Sequence, residues 1–355
     1  MVNRLADVDD IQSAFFLLRT SFLALRATHF MRTTPLAQWE KQAKKFDQQI
    51  WDAAQGILAV TFSEQSWKQA CLTPRLGGLG LRKIVDHADI AFSASWWESR
   101  STCREEWSVR PDVNALTKQG SFKKDEEILK KLMVEAPNQR ERRRLERLQC
   151  EHAGAWVCAV PSTHDGVDTV MRPRNFRVAV AMRILDEEKR CSLCTQIIDV
   201  FGDHGACCSV SSDRIHRHNR VRNLLDRICQ EGMLSPVMEK YRLRVWTSAR
   251  RCAVWRANKG LAIDVAVTSP FGSHNLSCTN PCESYAETKK HARYDNDFKG
   301  TAFEFVAMVF ETTGGVNNEG LELLRQLFRF AAKHQSLQLS VYCGCAWWVS
   351  PSSVS

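Results

Sequence analysis

Apolar residues in the first hundred positions recur at the spacing of helices. One helix is predicted from Asp10 to about Phe30, and Thr34 and Pro35 then offer an N-cap followed by proline at the first helical position. After them, apolar side chains return every three or four residues, at Trp39, Ala43, Phe46, Ile50, Ala54 and Ile57. A glycine-rich turn at 74–81 precedes a further helix that runs to about Trp97. Residues 1–99 are therefore expected to form a helical region.

Residues 100–185 are expected to form a connector. The first part of this stretch is polar and shows no regular apolar spacing. It ends in the arginine-rich run 140–147, which we interpret as a solvated helix with internal charge pairs in preference to a strip that binds phosphates. A short helical region is expected to follow, before about residue 190.

From residue 213 onward, helical and strand patterns alternate. Helices are expected at about 213–230, 283–297 and 318–333, and strands near 242–247, 251–255, 261–268 and 303–310. Mixed strands and helices in this order are typical of a layered α/β structure. The fold class expected for the chain is therefore α+β and multidomain, with an α/β domain over 213–335 and a tail over 336–355.

The charge of the chain points to an anionic partner. Its 355 residues include 49 Lys and Arg against 40 Asp and Glu, a formal net charge of +9. Clustered basic residues favour nucleic acid as that partner, and a merely soluble basic protein is the plainer alternative. The N-terminus lacks the apolar stretch of a secretory signal, and no apolar run approaches the ~20 residues of a membrane span. We expect an intracellular protein without a membrane partner, whose 14 Cys are mostly thiols.

Four residues have the spacing of a zinc knuckle. Cys191, Cys194, His204 and Cys208 follow the pattern C-x2-C-x9-H-x3-C. Zinc takes four thiolate or imidazole ligands at tetrahedral corners, and a close Cys pair followed by a second pair meets that need. We expect a structural Zn²⁺ within residues 186–212. Cys207 is an alternative ligand, and unrelated thiols with a stray histidine are the alternative interpretation.

A basic segment follows the knuckle directly, on the helix predicted at 213–230. Its arginines are of a density that suits phosphate contacts. His218 lies among them and is interpreted as a surface histidine in preference to a spare metal ligand. The residues expected to contact nucleic acid are Arg214, Arg217, His218, Arg220 and Arg222.

A carboxylate interrupts the strand predicted at 261–268. The strand alternates strictly, with Asp264 on the face that carries small residues. Aspartate is disfavoured within strands, so Asp264 is a candidate ligand for the magnesium of a phosphodiesterase, with an ordinary salt bridge as the alternative. On the next predicted helix, Lys290 and Arg293 are spaced to share one face, where a cation could orient the scissile phosphate.

Five short phrases stand in a specific order along the chain. They are Leu76-Gly-Gly-Leu-Gly-Leu-Arg82, the Cys-x2-Cys with Gly202-Asp-His204, Arg217-His-Asn219, Asp264-Val-Ala-Val-Thr-Ser-Pro270, and the helix with Lys290, Arg293 and Tyr294. This order resembles the C-terminal half of polyproteins from non-LTR retrotransposons that carry a restriction-like endonuclease. The resemblance covers roughly residues 10–335.

The resemblance implies an architecture and an activity. It implies a reverse-transcriptase thumb-like region at 1–99, the connector, the CCHC zinc knuckle at 186–212, and a PD-(D/E)XK-like nuclease domain at 213–335. In that family the nuclease nicks target DNA with magnesium, and the new 3′ end primes reverse transcription of the element RNA. The implied partners are therefore a DNA target and the element RNA, the implied cofactors Zn²⁺ and Mg²⁺, and the implied location the nucleus.

Three departures from the family pattern change what is expected. No polymerase palm motif is present, so the chain is not expected to polymerise by itself. Ala253 stands at the position of the first acidic residue, and Glu239 is offered as a substitute. Arg293 replaces the family's second lysine, which keeps the charge and changes the geometry. We expect a nucleic-acid-binding fragment with an impaired DNA endonuclease. The alternatives are a catalytically inactive zinc-dependent binding remnant and an unrelated zinc-containing regulatory protein.

Overall fold

The computed structural model of the protein describes most of the chain. The described residues are 5, 7–22, 24–103, 113–150, 153–161, 170–184, 189–190, 197–198, 213–234, 236–237, 250–256, 259–271 and 275–335. The chain divides into two compact units. Unit 1 comprises Met1–Leu145 and Met171–Glu187, and unit 2 comprises Glu146–Val170 and Glu188–Ser355.

Unit 1 is built from helices over the residues that are described. They are α1 (Ile11–Leu17), a π-helical stretch (Leu18–Phe22), α2 (Ala24–Thr33), α3 (Glu40–Leu58), α4 (Glu64–Cys71), α5 (Ile84–Cys103), α6 (Val113–Glu135), α7 (Gln139–Arg147, up to Leu145 in this unit) and α9 (Pro173–Ile184). Asp10 caps α1 by accepting hydrogen bonds from the backbone N–H groups of Gln12 and Ser13. The helical N-terminal region predicted from apolar spacing is confirmed.

The long helix α3 buries the face that the sequence predicted. Ala43, Ile50, Ala54 and Ile57 are buried, while Trp39 is half-buried. The predicted start is displaced, because Leu36–Gln38 form a short 3₁₀ turn and the α-helix begins at Glu40. Pro35 therefore precedes the 3₁₀ turn and does not begin the α-helix.

The turn at 74–81 depends on glycine at two kinds of position. Gly77 and Gly80 have positive φ angles of 89° and 80°, a region that side chains other than glycine's resist. Gly78 is needed for space, because a Cβ atom there would lie 2.0 Å from the backbone oxygen of Leu72. The backbone passes too close to the end of α4 for any side chain.

Over its described residues the expected connector is largely helical, although the first part of it shows no regular apolar spacing. The 23-residue helix α6 buries Leu129 and Leu132 in a core cluster with Leu72, Leu76 and Leu145. Ser121 and Asp125 of the same helix are also buried, and Asp125 pairs with Arg82 at 2.9 Å.

The arginine-rich run at 140–147 is helical as predicted, but part of it is buried and not solvated. In unit 1, Arg144 is 2% exposed and donates to both carboxylate oxygens of Glu141. Its guanidinium also donates to the side-chain oxygen of Gln69 at 2.6 Å and to the backbone oxygen of Arg183. Buried guanidinium groups need such full pairing, and this one joins three segments of the unit.

Unit 2 combines helices on a mixed sheet with a separate short hairpin. Its helices are α8 (Ala155–Cys158), α10 (Asp213–Glu231), α11 (Pro281–Tyr285), a π-helical stretch (Ala286–His291), α12 (Ala292–Phe298) and α13 (Asn318–Gln335). Its strands are β1 (Lys189–Arg190), β2 (Ile197–Ile198), β3 (Pro236–Val237), β4 (Arg250–Arg256), β5 (Lys259–Thr268) and β6 (Phe303–Glu311). Most elements predicted from residue 213 onward are thus present. The strand expected near 242–247 and the tail at 336–355 lie outside the described residues.

The sheet of unit 2 has the order β3-β4-β5-β6. Strand β4 pairs antiparallel with β5, and β5 pairs parallel with β6, with Asp264 opposite Ala307. The parallel pair is joined through the helices between residues 281 and 298, as a parallel connection requires. The expected α+β class agrees with this arrangement.

Helices cover both faces of the sheet. One face of β5, with Leu261, Ile263 and Val265, belongs to the core cluster that also contains buried residues of α10 and α13. The other face, with Ala266, belongs to a second cluster containing Cys282 of α11 and Ala286 of the π-helical stretch. Strand alternation divides the side chains between the two layers, and Asp264, two residues before Ala266, lies on the same face as Ala266. The result is a three-layer α/β/α arrangement within unit 2.

Candidate functional site

The site begins with Asp264 in the middle of β5. Its side chain lies on the face of the sheet covered by α11, the π-helical stretch and α12. Small residues flank it on this face, Ala262 and Ala266 in β5 and Ala307 in β6, and all three are buried. Asp264 itself is 4% exposed. A carboxylate so deep in a sheet needs a cationic or hydrogen-bonding partner.

Lys290 provides that partner. Its Nζ atom lies 2.8 Å from Oδ2 of Asp264, although the two residues are 26 positions apart. The ammonium also lies 6.0 Å from the centre of the Tyr285 ring. The structure thus brings together the two residues that the sequence singled out on separate elements.

A π-helical stretch carries Lys290. Residues Ala286–His291 form it between α11 and α12. A π turn holds more residues than an α turn and so shifts the direction of the following side chains, and such turns are frequent at functional sites. This stretch is the local feature that sequence periodicity did not predict.

Arg293, the other expected cation, has a different environment. Its side chain is exposed, and its guanidinium carbon lies 5.0 Å from the centre of the Tyr294 ring. The spacing of three residues therefore does not give Arg293 the buried setting of Lys290. It remains a surface cation of α12.

The register of β4 and β5 bears on the role expected of Ala253. Cys252 of β4 pairs with Leu261, and a register shift follows before Arg256. Leu261 is three residues from Asp264, so its partner Cys252 lies about 10 Å from Asp264 along the strand direction. Because the strands are antiparallel, Ala253 lies farther from Asp264 than Cys252 does. A carboxylate at position 253 would not lie directly beside Asp264. Glu239, the suggested substitute, lies outside the described residues.

The described residues do not by themselves fit a magnesium site. Within the described part of the chain, no group of three or more His, Cys, Asp or Glu side chains is arranged to hold a metal ion. Asp264 is a single carboxylate that is already paired with an ammonium group. Magnesium in phosphoryl-transfer sites is usually held by one or two carboxylates together with waters and phosphates, and the burial of Asp264 leaves little room for them.

The expected zinc ligands cannot be placed. Cys191, Cys194, His204 and Cys208, and the alternative Cys207, lie outside the described residues. Their nearest described neighbours are β1 and β2, which pair antiparallel with Arg190 opposite Ile197. In sequence, Cys191 and Cys194 fall between these two strands.

The expected nucleic-acid-binding helix, α10, is partly turned inward. Arg217 is buried, and His218 places Nε2 3.2 Å from the backbone oxygen of Val265. Arg220 is exposed, and Arg222 is half-buried and donates to the side chain of Asn223. The side chain of Arg214 lies outside the described residues. His218 therefore contacts the sheet, and the burial of Arg217 corrects the expectation that this arginine faces solvent.

Strand alternation also separates α10 from the Asp264 pair. Val265 and its cluster face α10, while Asp264 faces the opposite layer. The basic helix and the Asp264 carboxylate therefore lie on opposite faces of the sheet.

Sequence reasoning missed a second charged group next to Lys290. His291 places Nδ1 2.8 Å from Oδ1 of Asp295 and Nε2 2.9 Å from Oε2 of Glu319. The same Oε2 accepts a hydrogen bond of 3.3 Å from the backbone N–H of Ala307, the residue opposite Asp264. The four-residue spacing of His291 and Asp295 was visible in the sequence, whereas the contact with Glu319 was not.

Comparisons with known proteins neither support nor oppose the resemblance. No protein-family model matches the sequence, and a search of curated proteins gives no match. Among the residues that the structure describes, no helix combines the length and the apolar character that crossing a membrane requires.

Proposed function

We propose that the chain is a nucleic-acid-binding part of a non-LTR retrotransposon polyprotein, with unit 2 a restriction-like endonuclease domain whose DNA nicking is impaired. The ion pair between Asp264 and Lys290 carries the proposal. It joins an acidic strand residue and a lysine from the following helical segment on one face of an α/β/α unit. Unit 1 is proposed to correspond to the thumb-like helical region.

The chemistry of the pair favours a site that meets phosphate. A lysine held beside a strand carboxylate is a fixed cation that can orient or neutralise a phosphodiester group. Exposed cations of the same segments, Lys289 and Arg293, add to the attraction for a polyanion. The net charge of +9 acts in the same direction at longer range.

Impairment follows from the number and burial of the acidic groups. The described residues contain no group of three or more potential metal ligands, and Asp264 is already paired with Lys290. Loss of a single electrostatic group costs about 10²–10³ in rate at other catalytic sites. We therefore propose slow nicking at most, with binding as the principal activity.

A catalytically inactive binding remnant is the second candidate. The 4% exposure of Asp264 favours it, because a phosphate or a metal ion must reach a catalytic carboxylate. Under both candidates Cys191, Cys194, His204 and Cys208 are proposed to hold a structural zinc ion. The paired strands on either side of Cys191 and Cys194 support this assignment. The proposed partners are a DNA target and the element RNA, and the proposed location is the nucleus.

Two assays on the full chain test the proposal. DNA binding measured by fluorescence anisotropy is expected to weaken steeply as salt rises, because counterions are released on binding. Nicking of supercoiled plasmid with magnesium is expected to be slow and to be lost in Asp264→Ala, while Asp297→Ala, at an exposed position of α12, serves as the matched control. Absence of DNA binding would refute the proposal, and fast nicking that depends on Asp264 would refute the impairment.

Metal analysis tests the zinc assignment separately. The purified chain is expected to contain one zinc ion, and Cys194→Ser is expected to lose it. Cys158→Ser changes an exposed cysteine outside the motif and is expected to keep the zinc. A chain purified without zinc would contradict the knuckle.

A further inference from the structure

His291 stands between two carboxylates. Asp295 of α12 faces its Nδ1 atom, Glu319 of α13 faces its Nε2 atom, and the Phe305 ring of β6 packs edge-on at 5.4 Å between centroids. Neutral imidazole carries one N–H, so it can donate to only one of these acceptors. Both contacts are satisfied at once only when the ring is protonated. The two nitrogens point to different carboxylates, so the three groups do not converge on a common point as metal ligands would.

The contacts of His291 form a closed path around the candidate site. His291 follows Lys290 in the same π-helical stretch, and Glu319 holds the backbone N–H of Ala307. Ala307 is paired with Asp264, and Asp264 holds Lys290. One histidine side chain therefore ties the stretch that carries the lysine to the strand beside the aspartate.

We propose that protonated His291 is a positioning residue that holds the π-helical stretch in place and so keeps Lys290 against Asp264. This proposal rests on the proposed function for its biological meaning, since it names how the cation of that site is regulated. His291 itself touches neither Lys290's ammonium nor Asp264 in the contacts described above. It acts through the backbone of the stretch and through Glu319.

The pKa of His291 determines whether its contacts are stable at low or at high pH. Burial lowers the pKa of His291, but the hydrogen bonds to Asp295 and Glu319 outweigh it, and the pKa is raised above 6.5. The stabilisation that protonated His291 gains from Asp295 and Glu319 is therefore fully present below pH 6.5, and it is lost as pH rises through the raised pKa. Above it, one ring nitrogen presents a lone pair to a carboxylate oxygen. One of the two contacts of His291, with Asp295 or with Glu319, is then lost.

The reactivity of Lys290 reports its position without any need for catalysis. The full chain is acetylated briefly at pH 6.0 and 9.0, and mass spectrometry gives the modification of Lys290 relative to Lys299, an exposed lysine of the same unit. The ratio cancels the common effect of pH on lysine reactivity. In the wild type we expect it to rise about fivefold at pH 9.0, because local opening exposes the ammonium group.

Two variants and a control complete the experiment. His291→Gln and Glu319→Gln are expected to give the high ratio already at pH 6.0. His334→Gln, at an exposed position of α13, is expected to behave as the wild type. A wild-type ratio that is the same at both pH values, or a Glu319→Gln ratio equal to that of the wild type at pH 6.0, would overturn the proposal. The reaction contains neither DNA nor magnesium, so its outcome is separate from that of the binding and nicking assays.

Discussion

Arg147 and Glu311 form a buried, bidentate ion pair in unit 2. The Nε atom of Arg147 donates to Oε2 of Glu311 at 3.0 Å, and Nη2 donates to Oε1. Nη1 donates to the backbone oxygen of Thr279 at 3.1 Å. Burial works against the charge of Arg147, but Glu311 outweighs it, and the pKa of the guanidinium is raised. The pair fixes the end of α7 to the end of β6.

Breaking this pair on one side is expected to be costly. In Arg147→Met, the carboxylate of Glu311 stays buried without its cation, and the free energy of unfolding of unit 2 should fall by about 3–5 kcal/mol. The measurement is urea denaturation of the full chain, followed by tryptophan fluorescence. Arg325→Met removes an exposed arginine 4.0 Å from Glu322 and should change stability by less than ~1 kcal/mol. Equal effects of the two substitutions would contradict the structural role of Arg147.

Asn317 replaces a neighbouring strand along the outer side of β6. Its side-chain oxygen accepts from the N–H of Val309 at 2.9 Å, and its amide nitrogen donates to the oxygen of Ala307 at 2.8 Å. Asn317→Ala leaves both backbone groups unpaired in a buried place, which should cost about 2–6 kcal/mol at ~1–3 kcal/mol for each unpaired group. Thermal unfolding measures the loss. The adjacent Asn318 is exposed, and Asn318→Ala is the control with little expected effect.

His87 should make the stability of unit 1 sensitive to acid. Burial lowers its pKa, and the charges of Arg82 and Lys124 add to this, so that the pKa is about 4. Between pH 6.5 and 4 the unfolded chain binds a proton that the folded chain does not, so stability falls as pH falls. The loss is on the order of 3 kcal/mol. The urea midpoint, measured at several pH values, should depend less on pH in His87→Gln than in the wild type.

The pH profile has its own control. His29 is exposed on α2, and His29→Gln should keep the wild-type slope. A slope that His87→Gln leaves unchanged would show that another group titrates in this range.

Two glycines of unit 1 should respond to alanine in opposite directions. Gly78→Ala would place a Cβ atom 2.0 Å from the Leu72 oxygen, and we expect it to destabilise the unit severely or to prevent its folding. Gly56 lies within α3 with nothing within 4 Å of the added atom. Gly56→Ala should stabilise the unit by about 0.5–1 kcal/mol, since alanine is the better helix former. Circular dichroism melts compare the two, and a tolerated Gly78→Ala would contradict the close approach at the turn.

Most elements of the layered domain could be predicted because each has its own regular pattern. Strand β5 alternates, and α3, α10 and α13 show apolar faces at helical spacing. Helix α6 was missed because its apolar residues are sparse among lysines and glutamates, and only the cluster around Leu129 and Leu132 fixes it. The burial of Arg144 was missed for a similar reason. Arginine is usually expected at the surface, and the burial of Arg144 follows only from its contacts with Glu141 and Gln69.

The sequence by itself determined which residues share a face of β5, because strand geometry sends alternate side chains to opposite sides. It thus marked Asp264 as a charged residue on a face of small ones. Only the tertiary structure decided that Lys290 meets it, because a parallel connection folds the helical segment back over the sheet and a π turn sets the direction of the lysine. The same packing turned Arg217 and His218 inward and joined His291 to Glu319. Contacts between residues far apart in the chain depend on how the layers dock, and local patterns do not contain that information.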